Sequence, residues 1–123
     1  MHAHTSWKVL LHSDGAIFPL LPSIIEMGVD ILNPVQTSAT GMEPGRLKRE
    51  FGKQLVFWGG SCDPQSTFAN GTPAQVAAET GQNLAELAPE GGYVCAPIHN
   101  IQANVPPDNI LALFETALKF RAN

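Results

Sequence analysis

The stretch "GGYVCAPIHNIQANVPPDNILALFETALKF" (residues 91–120) reads in order as a glycine turn, an apolar strand, a polar strand end and a helix. Gly91 and Gly92 supply the turn. Residues 93–98 form an apolar run suited to a buried strand, and His99, Asn100 and Gln102 follow where it stops. Pro106, Pro107 and Asp108 then open a helix over 109–120. It is apolar at Ile110, Leu113, Phe114, Ala117 and Leu118, the i, i+3, i+4 stripe of a helix facing a core.

The same unit precedes it three times. Residues 7–11 favour a strand that ends in His12, Ser13, Asp14 and Gly15, and residues 18–27 follow as a helix that stops at Gly28. "VDILNPVQ" is an apolar strand ending at Asn33 and Gln36. A helix over 42–52 follows, with its basic residues toward the C-terminal half and Gly52 at its end. "QLVFWGGSCD" is a third apolar run, ending in glycines and Asp63. Thr72 is then the expected N-cap, with Pro73 at the first helical position of a helix over 73–88.

Apolar strands separated by helices cannot be joined as hairpins, so the sheet is expected to be parallel, with right-handed crossovers. The fold class is α/β, four consecutive βα units in one domain over 1–123, with 1–6 as a frayed end. In such sheets ligands bind at the carboxyl ends of the strands, where loops and helix starts converge. All four strands end in polar residues: His12 and Asp14, Asn33 and Gln36, Asp63 and Gln65, His99 and Asn100. A closed (β/α)8 barrel takes about 250 residues, whereas this chain has 123. Four strands in barrel order leave two open edges, which predicts self-association as a homodimer or docking with a complementary half.

Hydrophobic residues at 44% and charged residues at 15% describe a globular core rather than a disordered chain. Eleven acidic and seven basic side chains give a net charge of −4, and no basic cluster exceeds Lys48-Arg49. These features argue against nucleic-acid and anionic-membrane surfaces. No signal peptide or membrane-span pattern is read, so the expected location is cytoplasmic and Cys62 and Cys95 are expected as free thiols. The glycine pairs fit neither a dinucleotide fingerprint nor a P-loop.

The segments "LLHSDG", "MGVDILNPVQ", "LKREFGKQLVFWGG", "NGTPAQVAAET" and above all "APIHNIQANVPPDNILALFE" resemble the C-terminal half of the uroporphyrinogen decarboxylase-like superfamily, which includes cobamide-dependent methyltransferases. The resemblance runs from about Lys8 to the end. It implies a (β/α)8 TIM barrel of which these are strands five to eight with their helices. In the decarboxylases, the aspartate that assists decarboxylation and the arginine-rich segment that holds substrate carboxylates belong to the first half.

Two site readings follow from the resemblance. In the methyltransferase branch a zinc ion is held by a histidine and a cysteine two residues apart after strand five, and by a second cysteine at the end of the last strand. His12 matches that histidine, Asp14 falls at the first cysteine and His99 at the second. A His/Asp/His trio is an acceptable zinc set with one open position, but a harder one than a thiolate set, suited to activating water. A corrinoid is the implied partner of that branch. In the decarboxylase branch, which requires no cofactor, the histidine on the last strand contacts a carboxylate of the tetrapyrrole. His99 resembles it, with Asn100, Gln102, Asn33, Gln36 and Asp63 as further candidates for the cleft.

Each candidate also has a structural reading. His12 fits a buried histidine bonded to the neighbouring strand, Asp14 a helix N-cap, and Asp63 the start of a turn with Pro64. Asn33 before Pro34 is restricted to extended backbone, which places Gln36 near the rim. Cys62 lies beside the rim as a reactive thiol or soft ligand, and Cys95 mid-strand as a small core residue. His2 and His4 have the smallest claim on function. Two function classes therefore stand side by side: half of an enzyme acting on a tetrapyrrole or a corrinoid methyl group, and a non-catalytic half barrel that persists by self-association.

Overall fold

The computed structural model describes residues 2–121. Four parallel strands lie side by side in chain order: β1 (Leu10–His12), β2 (Ile31–Asn33), β3 (Val56–Trp58) and β4 (Tyr93–Val94). Leu11 pairs with Leu32, Leu32 with Phe57, and Phe57 with Tyr93. Beyond its short ladder, β4 continues alongside the β3 extension, through Gly59 N–H to Val94 O (3.0 Å) and Ser61 N–H to Ala96 O (3.1 Å). The α/β fold of consecutive βα units is the one expected of half a TIM barrel.

The Leu11, Leu32, Phe57 and Tyr93 row packs under the helices. Leu21 and Ile24 come from α1 (Leu21–Glu26), Leu47 and Phe51 from α2 (Pro44–Phe51), and Leu87 from α4 (Pro73–Leu87). A second cluster joins Cys62, Phe68, Val76, Val105 and Leu113, seating α3 (Thr67–Asn70) and α5 (Pro107–Arg121) against α4. The buried side chains of α1, α2 and α4 all meet this one face of the sheet. The opposite face, with Leu10, Trp58 and Val94, is uncovered.

The Thr72 cap is as expected. Its hydroxyl accepts from Gln75 N–H at 3.3 Å, and Gln75 Oε1 accepts from Thr72 N–H at 2.8 Å, a reciprocal capping box with Pro73 in the first turn. Three expectations need correction, and one helix was missed. The helix over 18–27 is instead a 3-10 turn (Phe18–Leu20) followed by a six-residue α1, because Pro19 and Pro22 each lack the N–H that a continuous ladder needs. Asp14 caps neither, since no side chain caps the start of that turn or of α1. The short α3 was not legible. On α5 only part of the expected stripe is covered: Leu113 is buried, but Phe114 is 45% and Leu118 65% exposed.

Buried amides tie the loops to this frame. Asn83 Nδ2 donates to Gly60 O (3.0 Å) and Ser61 O (3.2 Å), and Asn109 Nδ2 to Phe68 O (3.0 Å) and Gly71 O (2.9 Å). Gly60 sits at φ +88°, and a Cβ there would lie 2.8 Å from Val35 O, so a close passage of two chains demands glycine. At the other end of the sheet, His2 Nε2 contacts Gly28 O (2.8 Å) and the Asp30 carboxylate (3.2 Å).

Candidate functional site

The ends of β1 and β2 are in register, so His12 stands opposite Asn33. His12 is exposed rather than buried, yet it does bond to the neighbouring strand: its Nδ1 lies 2.8 Å from Asn33 Oδ1. Asn33 Nδ2 donates to Trp58 O at 3.3 Å, which fixes the amide with its oxygen toward the imidazole. That oxygen only accepts, so His12 Nδ1 carries a proton. Nε2 faces Asp14 Oδ2 at 3.4 Å. The Asn33–Pro34 peptide is cis, and Gln36 beyond it accepts from Gly15 N–H through Oε1 at 2.7 Å, pinning the loop that carries Asp14.

His99 reaches the same point from the loop after β4. Its ring meets that of His12 edge-on, with centroids 5.7 Å apart and planes at 87°. Asn100 N–H approaches His99 Nδ1 at 2.9 Å, and Asn100 Oδ1 also contacts that nitrogen. The N–H contact makes Nδ1 an acceptor. One donor atom from each of His12, Asp14 and His99 lies within 4.8 Å of the others. Ligand atoms of tetrahedral zinc, bound at about 2.0–2.1 Å, stand roughly 3.3 Å apart. The His12–Asp14 separation matches this, and two imidazoles with a carboxylate suit a borderline divalent ion. The residues present fit a metal.

Three clefts converge on His99. One of about 320 Å³ is lined by His12, Asn33, Trp58, Ile98, Asn100 and Ile101, and one of about 260 Å³ by Asp14, Gln36, Asp63, Gln65 and Ile98. The third, of about 690 Å³, takes in Gln65, Asn70, Gln102 and Asn104. Every polar strand end singled out in the sequence thus borders this region. Among the described residues, no Lys or Arg lines any of the three. Trp58 and Ile101 are walls that the sequence did not mark, because "VFWGG" reads as strand interior.

Asp63 behaves as a turn residue: its oxygens accept from Gln65 N–H and Ser66 Oγ, both at 2.9 Å. Its own N–H donates to Glu79 Oε1 at 2.9 Å. Cys62 and Cys95 are free thiols. Cys62 is fully buried, and desolvation, reinforced by the Glu79 carboxylate, pushes its thiol up to about 12, which removes it as a reactive thiol or rim ligand. Burial also raises Cys95, above its ordinary value. No helix among the described residues is long and apolar enough to cross a membrane.

No curated protein matches the chain. A family model described as uroporphyrinogen decarboxylase (URO-D) matches residues 1–120. The match takes in all four βα units, and with them the loops that bring His12, Asp14 and His99 together. By that match and by its parallel βα architecture, the chain belongs to the uroporphyrinogen decarboxylase family.

Proposed function

We propose that this chain forms the metal-binding wall of a URO-D-like catalytic site, with a divalent ion, zinc by donor chemistry, held by His12, Asp14 and His99. One observation carries the reading. His12 Nδ1 is committed to Asn33, so Nε2 is turned toward a carboxylate oxygen 3.4 Å away. The nitrogen and the carboxylate oxygen are spaced as two ligands of one cation, and His99 closes the third side.

Each donor has its own positioning contact: Asn33 for His12, Gln36 through Gly15 for the Asp14 loop, and Asn100 for His99. Such contacts fix the aim of a ligand. Zinc in this setting supplies a Lewis acid that brings an oxygen nucleophile toward ionisation near neutral pH. Trp58, Ile98 and Ile101 give the adjoining cleft apolar walls. The donor set favours water or another oxygen nucleophile over a thiolate, which separates the proposed chemistry from thiol methyl transfer.

Binding of a tetrapyrrole carboxylate at His99, with Asn100 and Gln102 beside it, is the second reading, favoured by the convergence of three clefts on His99. The absence of Lys and Arg among the described cleft residues weighs against it, because several carboxylates would meet Asp14 and Asp63 with only imidazoles to offset them.

Elemental analysis of untagged protein, with zinc titration, decides between them. One equivalent of zinc, lost in both His12→Ala and His99→Ala, is expected. A folded wild-type chain that takes up no zinc overturns the metal reading and leaves the carboxylate reading standing.

A further inference from the structure

We propose that the cleft of about 690 Å³ beside His99 binds an uncharged ligand rich in hydroxyl groups, of sugar or cyclic-polyol type. This names a substrate class, and it rests on the catalytic reading above only in placing that ligand next to His99. The cleft lies between the segment that follows β3 and the loop that follows β4, so both walls come from adjacent βα units. Gln65 and Asn70 line one wall, and Gln102 and Asn104 the other. Four carboxamides thus converge on one space, and among the described residues no Lys, Arg, Asp or Glu lines it. All four are exposed. Among the described residues the amides of Gln65, Gln102 and Asn104 have no hydrogen-bond partner, and Asn70 Nδ2 reaches only Gln65 O, at 3.4 Å.

The frame beneath these amides is fastened at several points. Asp63 holds the first wall, accepting from Gln65 N–H at its carboxylate (2.9 Å) and from Phe68 N–H at its carbonyl (2.8 Å). Asn109 of α5 ties Phe68 O and Gly71 O to the same core, and Val105 N–H closes the second wall onto Gln102 O at 3.1 Å. Phe68, Ala69 and Val105 are buried in one cluster. A ligand therefore meets walls whose backbone is already set, which lowers the ordering cost of binding.

The chemistry of the lining selects the class. Each carboxamide presents an acceptor oxygen and an NH2 donor. A carboxylate only accepts, so it would set its charge against amide oxygens that it cannot satisfy; an ammonium only donates and would leave the NH2 groups unmatched. A hydroxyl does both, so it can pair with either end of every amide on both walls. Pro64 and Ala69 add apolar surface on which the C–H face of a ring can lie. The volume falls within the roughly 300–1,000 Å³ of small-molecule sites.

Saturation-transfer NMR tests this on the whole chain in the presence of EDTA. The probes are methyl glucoside, methyl galactoside, methyl mannoside, sucrose and myo-inositol, with glucuronate and glucosamine as charged counterparts. At least one neutral probe should bind with a millimolar Kd, and both charged probes more weakly than it. Gln102→Leu and Asn104→Leu, at exposed positions, should each weaken that binding about two- to tenfold, the worth of one neutral hydrogen bond, with far-UV circular dichroism unchanged. Gln54→Leu, exposed at the start of β3 and remote from the cleft, should leave it unchanged. No binding by any neutral probe overturns the proposal. So does a charged probe that binds as tightly or more tightly, or binding that neither cleft variant weakens. Should a cleft variant fail to fold, Gln65→Leu on the opposite wall takes its place. Zinc uptake, titrated separately without chelator, decides the metal reading alone.

Discussion

Asn33 and His12 form a directed pair: the amide oxygen of one holds the Nδ1 of the other at 2.8 Å, while the amide nitrogen is anchored on Trp58 O. The pair spans the carboxyl ends of two adjacent strands. It gives a solvent-exposed histidine a defined aim.

Asn33→Ala removes that direction without removing a ligand. Zinc affinity, measured by competition with a coloured chelator, is expected to fall about 10–100-fold, as for other contacts that orient metal-bound histidines. His12→Ala should abolish stoichiometric binding. Equal affinity in Asn33→Ala and wild type would show that Asn33 does not position the ligand.

Gly60 and Gly91 separate two costs of adding a side chain. Both have positive φ, but a Cβ on Gly91 meets nothing within 4 Å, whereas one on Gly60 lies 2.8 Å from Val35 O and 2.9 Å from Val35 Cβ. Gly91→Ala should cost about 1–2 kcal/mol, the conformational penalty alone. Gly60→Ala should cost more and shift the urea midpoint further, because backbone must move. Equal midpoints would mean that the β2 and β3 loops separate freely.

Cys62 gives the alkaline limb of stability a defined sign. The folded chain keeps the thiol proton up to about 12, while the unfolded chain releases it near 9.0. Stability is therefore independent of this group below pH 9 and falls as pH rises from 9 toward 12, and Cys62→Ala should flatten that limb. At pH 8 iodoacetamide should leave Cys62 unmodified until the protein is unfolded, as read by peptide mass spectrometry.

The fold was legible because local signals agreed along the chain. Thr72 and Pro73 marked a helix start that became a capping box, and four apolar runs ended in polar residues that border a common region. What stayed hidden depends on neighbours far in sequence. The helix α3 is held by Asp63 on one side and by Asn109 on the other, and neither partner is visible from "QSTFAN". The stripe on α5 showed which residues are apolar but not which of them the fold covers. The site followed the same division. His12, Asp14 and His99 were legible through the resemblance, whereas the contacts that aim them, from Asn33, Gln36 and Asn100, depend on strand register and loop path.

The sequential strand order also shapes how the chain acquires its structure. Each strand pairs with the one made just before it, the longest such reach being Phe57 to Tyr93. Loop closure among the described strands is thus spread over steps of similar length, each closing onto the strand before it. A chain growing from its amino end can add one βα unit at a time onto a finished edge, so folding can keep pace with synthesis.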